Sequence, residues 1–210
     1  MEAAMFCELN EVQPTAPHSV SNALAAAGLA RAIGIDNEVI RSAIKKFRPG
    51  RHRIELVLEQ NGIRWIDDSK ATNPHAAQAS VMSELSVVWI AGGLAKGAEM
   101  SDLIAQVGSR LRAVVLIGTD RELIAQELQS NFPNVTLVRV DPKPGHDRSS
   151  LDNDFMNQIV TEAKHLAQSG DAVLLAPACA SMDQFLSYGD RGDRFAKSVR
   201  EIVGKDDNAR

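Results

Sequence analysis

Residues 67 to 73 place six polar side chains in one short stretch, Asp67-Asp68-Ser69-Lys70-Ala71-Thr72-Asn73. Two carboxylates, an ammonium, two hydroxyls and an amide are groups that bind charged ligands. A strand-like run, residues 63–66, precedes them, and Pro74 follows, which suits a first helical position with Asn73 or Thr72 as the cap. The stretch is therefore predicted to be a strand-to-helix turn. In open α/β sheets, ligands bind at such carboxyl ends of strands, where free helix N–H groups favour anions.

Two other predicted strands end in turns that could contribute to the same site. Residues 87–97 contain Gly92, Gly93 and Gly97 together with Lys96, so that backbone N–H groups and a positive charge can approach a ligand. Their spacing fits neither a P-loop nor the GxGxxG dinucleotide fingerprint. Residues 174–185 contain Ser181, at a position expected to cap a helix, and Cys179. No histidine lies near Cys179 in sequence, which argues against cysteine nucleophile chemistry.

Parallel neighbouring strands bring their carboxyl ends to one edge of a sheet. The combined site would then contain Lys70, Thr72, Lys96 and Ser181, and it would be cationic and rich in hydrogen-bond donors. Such a site suits a small anion, for example a dicarboxylate, held so that another of its groups can react.

The elements that must position these residues follow from the spacing of apolar side chains. Asn61-Gly62 separates two alternating strands and predicts an antiparallel hairpin. Beyond it, buried strands alternate with amphipathic helices, which predicts an α/β, Rossmann-like, mostly parallel sheet covered on both faces. The predicted strands are 54–59, 63–67, 86–91, 113–117, 135–140 and 172–175. The predicted helices that follow them are 74–82, 101–111, 120–129, 152–168 and helical material from 182 to 203.

Two helices precede this sheet, one over residues 19–33 and one from its cap Asp36 to Phe47. These two helices have an apolar face with almost nothing local to bury it against. We predict that residues 1–48 are the end of a truncated central domain, residues 49–53 a hinge, and residues 54–210 the α/β domain. Residues 141–150, polar and containing proline and glycine, are predicted to form a mobile surface loop.

Composition excludes several classes of protein. The 210 residues are 44% hydrophobic and 24% charged, with a net charge of -4, which gives no reason to expect binding to nucleic acid or to an anionic membrane. No apolar run is long enough to span a bilayer, and the N-terminus lacks the pattern of a signal peptide. Two distant cysteines, Cys7 and Cys179, favour a reducing compartment. A cytoplasmic protein without membrane insertion is predicted.

The polar turns also resemble a known family. DSKATN at 68–73, GGLAKG at 92–97, PACASMDQF at 177–185 and GDRF at 192–195 are similar to the C-terminal domain of Mur ligases, and HSVSNALAA at 18–26 resembles the end of their central ATPase domain. The likeness covers residues 18 to 203 and is greatest to the D-glutamate-adding branch. It implies that ATP phosphorylates the carboxylate of UDP-N-acetylmuramoyl-L-alanine and that the amine of D-glutamate attacks the acyl phosphate, releasing phosphate.

The resemblance implies roles for individual side chains at matching positions. Lys70 would act catalytically beside the transferring phosphoryl group, where positive charge offsets the charge that develops. The ATP contacts would be Asn22 at the adenine, Arg53 at the phosphates and Asp68 at the ribose. The D-glutamate contacts would be Thr72, Lys96, Ser181 and Tyr188. Two positions depart from some members of the family, Leu94 where an acid can stand and Tyr188 where phenylalanine can stand.

The family's P-loop, modified lysine and magnesium ligands belong to a central domain, and its uridine site to an N-terminal domain, neither of which these residues supply. No metal ligand is therefore predicted here, although the complete ligase would use ATP with magnesium. We predict that the chain is a fragment that is inactive alone, from a monomeric parent, and that it can self-associate through its exposed N-terminal helices. The alternatives are a folylpolyglutamate synthase-like glutamate ligase and a non-catalytic Rossmann-like module that binds a nucleotide or an amino acid.

Overall fold

The chain divides into two units at Gly50. The computed structural model describes residues 5–150 and 152–205. Its residues cluster into one unit of Met1–Gly50 and a second of Arg51–Arg210. No helix within the described ranges is both long and apolar enough to cross a bilayer.

The first unit is built on two helices, α1 at Pro17–Ala32 and α2 at Asn37–Lys46, after a short 3-10 helix at Leu9–Glu11. Both helices start and end within two residues of their predicted limits. Pro17 occupies the first turn of α1, and Gly34, at φ +88°, follows its end. Asp36 stands at the predicted cap position of α2, although its side chain makes no cap hydrogen bond.

Much of the apolar surface of the first unit is not buried within it. On the predicted apolar face of α2, Ile40 is buried, whereas Val39 and Phe47 are 58% and 62% exposed. Leu29 and Ile33 at the end of α1 are more exposed still. Such exposed side chains are what the sequence predicts for helices with little local surface to pack against.

The second unit contains a six-stranded sheet in the order β1-β2-β6-β3-β4-β5. Only the β1–β2 pair is antiparallel, joined at Asn61-Gly62, where both residues have positive φ as in a tight hairpin turn. The pairs β2–β6, β6–β3, β3–β4 and β4–β5 are parallel, so the predicted fold class is confirmed. The strands are β1 Glu55–Gln60, β2 Ile63–Asp67, β3 Val87–Gly92, β4 Leu111–Ile117, β5 Thr136–Arg139 and β6 Ala172–Leu175.

Helices cover both faces of this sheet. Residues of α3 (Pro74–Met82), α4 (Ser101–Val107) and α5 (Arg121–Asn131) share one buried cluster with the sheet. Those of α6 (Asp154–Leu166) and α7 (Tyr188–Ile202) share the other. Successive β3 residues point to opposite faces, with Val88 in one cluster and Trp89 in the other. Because both faces are buried, the two central strands, β6 and β3, carry no polar side chain along their whole length.

Two predicted boundaries were wrong. Helix α4 ends at Val107, because residues 108–110 form a 3-10 turn and Leu111 already begins β4. Residues 182–187 are not helical: α7 begins at Tyr188, and the Ser187 hydroxyl accepts its capping bond from the Asp190 N–H at 3.0 Å. Ser181 therefore does not cap a helix. Its carbonyl oxygen closes a turn by accepting from the N–H groups of Gln184 and Phe185.

Candidate active site at the carboxyl ends of β2, β6 and β3

Hydrogen bonds join the turns that follow three adjacent strands. The Ala178 N–H donates to the carbonyl oxygen of Ala71 at 2.9 Å, which connects the turn after β6 to the turn after β2. Leu94 and Ala180 exchange two N–H to C=O bonds of 2.9 Å, which connect the turn after β3 to the turn after β6. Since β6 lies between β2 and β3 in the sheet, the three predicted turns form one continuous surface.

Glycine allows the closest of these approaches. At Gly93, φ is +132°, and a Cβ built there would lie 2.2 Å from the carbonyl oxygen of Ala180. Any side chain would separate the turn after β3 from the turn after β6. The paired glycines at the end of β3, which the sequence indicates as a place where a ligand can approach, therefore also allow close packing of the backbone.

A fourth turn, after β4, belongs to the same edge and was missed by the sequence analysis. Asp120 accepts a hydrogen bond from the Ala95 N–H at 2.8 Å, and its own N–H donates to Gly93 at 3.0 Å. Asp183, on the turn after β6, accepts from the Thr119 N–H at 2.9 Å. The two carboxylates thus fix backbone segments beside Lys96 and Ser181. The available signal was Gly118-Thr119-Asp120, which directly follows a buried strand.

Three residues predicted to bind the amino acid lie on these connected turns. Thr72 follows Ala71 and is half-buried, while Ser181 follows Ala180 and is 3% exposed. Lys96, exposed and in the left-handed region at φ +53°, lies two residues after Leu94. The surface therefore combines the ammonium of Lys96 with the hydroxyls of Thr72 and Ser181 at defined backbone positions.

Lys70 and Tyr188 lie together at the β2 side of this surface. The Lys70 Nζ is 3.9 Å from the centroid of the Tyr188 ring, a cation–π distance. The Lys70 N–H donates to the carbonyl oxygen of His52 at 3.1 Å, so the residue before Arg53 helps to fix the backbone of Lys70. Arg53 itself is exposed.

Asp68 is buried beneath the turn rather than presented on its surface. Its Oδ1 accepts from the Ile54 N–H at 3.4 Å, and its Oδ2 accepts from the Ser80 hydroxyl. Burial raises the pKa of this carboxyl to about 6, partly opposed by these two donors. Its role at a ribose stays a prediction. Asn22 lies exposed on α1, in the other unit of the chain.

The family is decided by a comparison with known proteins. Residues 52–179 match the model of the Mur ligase, glutamate ligase domain. The chain belongs to the Mur ligase family.

Curated relatives place this Mur ligase chain within a branch of the family. It is 50% identical over 200 residues to the UDP-N-acetylmuramoylalanine–D-glutamate ligase of Streptomyces coelicolor, a match that covers 95% of this chain and 41% of the relative. The ligase of the same name from Thermobifida fusca is 48% identical over 203 residues, covering 97% and 42%. The chain thus spans about two-fifths of the length of the curated relatives it matches.

Solved structures support the fold. A UDP-N-acetylmuramate–alanine ligase from Thermotoga maritima superposes on 93% of the chain with a TM-score of 0.59 at 18% identity, covering 39% of that protein. A pseudomurein peptide ligase from Methanothermus fervidus superposes on 92% with a TM-score of 0.60 at 19% identity, covering 37% of that protein. At such low identity these matches show a shared Mur ligase architecture alone.

One cluster in this Mur ligase domain has the residue types of a metal site. Ligand atoms of His52, Glu55 and Asp67 all lie within 4.8 Å of one another. Their closeness is explained by hydrogen bonds: His52 Nδ1 lies 2.6 Å from Asp67 Oδ2, and the His52 N–H donates to Glu55 at 3.0 Å. Mg²⁺ prefers an open octahedral shell of oxygens and water, which this enclosed histidine–carboxylate pair does not fit.

Cys179 lies within the surface but lacks the surroundings of a nucleophile. It is buried, and burial raises the pKa of its thiol to about 12. A thiol with such a pKa is almost entirely protonated at neutral pH and reacts slowly. This supports the sequence-based argument against cysteine chemistry in this Mur ligase.

Proposed function

We propose that this chain forms the amino-acid-binding part of a ligase that uses ATP to join D-glutamate to UDP-N-acetylmuramoyl-L-alanine in peptidoglycan precursor synthesis. The observation that carries the proposal is the pair of hydrogen-bonded connections from Ala71 to Ala178 and from Ala180 to Leu94. These connections put the turns of Lys70, Ser181 and Lys96 on one surface. The two D-glutamate-ligase relatives, 50% and 48% identical, support the choice of amino acid.

D-Glutamate carries two carboxylates and one amine. In the proposed complex, Lys96 supplies the charge for one carboxylate, and the hydroxyls of Thr72 and Ser181 donate hydrogen bonds to the carboxylates. With both carboxylates held, the amine is free to face the carbonyl carbon of the acyl phosphate. Holding the two reactants in this geometry replaces a bimolecular collision by a reaction within one complex.

The remaining side chains serve ATP and the acyl phosphate in this proposal. Lys70 lies beside the phosphoryl group in transfer and offsets the charge of its transition state. Arg53 contacts the phosphates of ATP, and Asp68 contacts the ribose. Magnesium, which generally accompanies ATP in such ligases, supplies further positive charge at the phosphates. Its ligands are proposed to lie outside the residues described in this structure.

The cellular setting follows from these substrates. ATP and a nucleotide-linked sugar indicate a cytoplasmic reaction. The two cysteines, Cys7 and Cys179, are both unpaired, in keeping with a reducing compartment.

Calorimetric titration of the 210-residue chain with D-glutamate tests the binding part of the proposal. We expect D-glutamate to bind, and Lys96→Met to weaken binding by about tenfold, because one charge-assisted interaction is lost. Lys197→Met, which removes an exposed ammonium on α7, is the matched control and should bind as the wild type does. Wild-type affinities that are equal for D-glutamate and for an uncharged amino acid would contradict the proposal.

Because the chain spans about two-fifths of the length of its curated relatives, a chimera tests catalysis in a chain of their full length. In this chimera, residues 18–203 replace the matching segment of the Streptomyces coelicolor relative. We expect phosphate release that depends on both D-glutamate and UDP-N-acetylmuramoyl-L-alanine. Phosphate release that required a pteridine substrate would favour a folylpolyglutamate synthase, and a folded chimera without any ligase activity would favour a non-catalytic binding module.

A further inference from the structure

A fully buried arginine lies beneath the proposed site. Arg191, on α7, is 0% exposed, and no carboxylate among the described residues lies within ion-pair distance of its guanidinium. Burial lowers its pKa to about 10, which still leaves it charged at neutral pH. An enclosed charge without a carboxylate partner is costly unless every donor finds an acceptor. The acceptors of Arg191 show which part of the structure this buried charge stabilises.

Those acceptors belong to two of the connected turns. Nε donates to the Ser69 hydroxyl at 2.9 Å, and Nη2 donates to the Ser69 carbonyl oxygen at 3.0 Å. Nη1 and Nη2 both lie 3.4 Å from the carbonyl oxygen of Cys179. The planar fork of the guanidinium therefore spans the turn after β2 and the turn after β6. A lysine ammonium, with its single nitrogen, could not reach all three oxygens in this arrangement.

These contacts adjoin the residues proposed to bind substrates. Ser69 immediately precedes Lys70, and Cys179 lies two positions before Ser181. The Ser69 hydroxyl also donates to the carbonyl oxygen of Tyr188 at 2.7 Å, and the ring of Tyr188 lies under the Lys70 ammonium. The guanidinium thus connects the backbones of Ser69 and Cys179, and the Ser69 hydroxyl extends this network to the backbone of Tyr188.

We infer that Arg191 is a positioning residue, which holds the Lys70 turn and the Ser181 turn at the separation required by an amino dicarboxylate bound beside a phosphoryl group. The inference rests on the proposed function for its ligand. Its geometric part, the link between the two turns, can be measured without any ligand.

The experiment compares three variants of the 210-residue chain. Arg191→Lys keeps the charge and loses the fork, and Ser69→Ala removes one acceptor while sparing the arginine. The matched control is Ser198→Ala on the same helix. Ser198 is also buried, but its hydroxyl bonds to Asn153 and Asn157, which lie on neither turn. Amide chemical shifts, D-glutamate affinity and urea unfolding are measured for each.

We expect Arg191→Lys to shift the amide signals of residues 69–72 and 178–181 and to weaken D-glutamate binding by about tenfold or more. Ser69→Ala should produce the same pattern with a smaller loss, and it remains informative if Arg191→Lys fails to fold. Ser198→Ala should lower stability while leaving both sets of signals and the affinity unchanged.

Two outcomes would overturn the inference: unmoved signals in both turns of a folded Arg191→Lys or Ser69→Ala chain, or unchanged D-glutamate affinity when the wild type binds. If the wild-type chain does not bind D-glutamate while the signals of both turns move in the variants, the link between the turns stands and the proposed ligand is wrong.

Discussion

His52 Nδ1 lies 2.6 Å from Asp67 Oδ2, in a pair that is almost completely enclosed. Helix α7 covers the pair through Gly192. A Cβ built on Gly192 would lie 2.2 Å from His52 Nδ1 and 2.7 Å from Asp67 Oδ2. The segment before β1, the end of β2 and the start of α7 can therefore meet only where this position has no side chain.

This contact predicts a stability difference between two glycines of α7. Gly192→Ala should lower the free energy of unfolding by about 1–3 kcal/mol, because the methyl group forces the buried pair or the helix to move. Gly189→Ala, where the nearest atom lies 3.5 Å from the added Cβ, should be neutral or stabilise by up to about 1 kcal/mol through helix propensity. Urea denaturation measures both. Equal effects of the two substitutions would show that the enclosed pair does not restrict α7.

Asp68 predicts a pH dependence of stability. Its pKa is raised from 3.8 to about 6, so the folded state binds this proton more tightly than the unfolded state. The stabilisation that follows is complete below about pH 4 and is lost as the pH rises through about 6. For a shift of this size the loss is about 3 kcal/mol. The free energy of unfolding, measured in urea, should be lower at pH 7 than at pH 4 in the wild type. In Asp68→Asn this decrease should be smaller by about 3 kcal/mol.

Ser80 provides the control for this interpretation. Its hydroxyl donates to the Asp68 carboxylate and lowers the pKa of Asp68. Ser80→Ala removes that donor, so the loss of stability should move to higher pH. Identical pH profiles for the wild type, Asp68→Asn and Ser80→Ala would mean that Asp68 does not titrate in this range.

The two lysines of the site should affect different kinetic constants in the chimeric ligase. Lys96→Met is expected to raise the KM for D-glutamate by about tenfold with little change in kcat. The reason is that Lys96 stabilises bound D-glutamate and the transition state equally. Lys70→Met is expected to lower kcat by about 100-fold, because it removes charge directed at the transition state. Steady-state phosphate release measures both. An effect of Lys70→Met confined to the KM for D-glutamate would place this lysine at the amino acid instead.

Asp120 should act on Lys96 through the backbone. Asp120→Ala leaves the Ala95 N–H without its acceptor and should weaken D-glutamate binding by about tenfold, because the Lys96 turn loses its support. Asp120→Asn retains an acceptor oxygen and should bind nearly as the wild type does. Titration calorimetry distinguishes the two. Equal losses for Ala and Asn would indicate that the charge of Asp120 matters, rather than its hydrogen bond.

Sequence patterns predicted most of the second unit because its local signals agree with its global fold. Asn61-Gly62 specifies a hairpin through residues that tolerate positive φ. Asn73 and Pro74 specify a helix start, and the structure shows the Asn73 side chain accepting from the Ala76 N–H at 3.0 Å. The error at residues 182–187 arose because this segment forms a turn in which Phe185 is buried, whereas the hydroxyl that caps the helix is that of Ser187, six residues after Ser181.

The sequence by itself determined the alternation of strands and helices, the polar turns and the family, because each depends on residues close together in the chain. The order of the strands and the connections between turns were decided only by the tertiary structure. Asp120, Asp183 and Arg191 make their decisive contacts across 25, 64 and 122 positions of sequence. No local pattern encodes such pairs, since packing of the whole sheet brings their partners within reach.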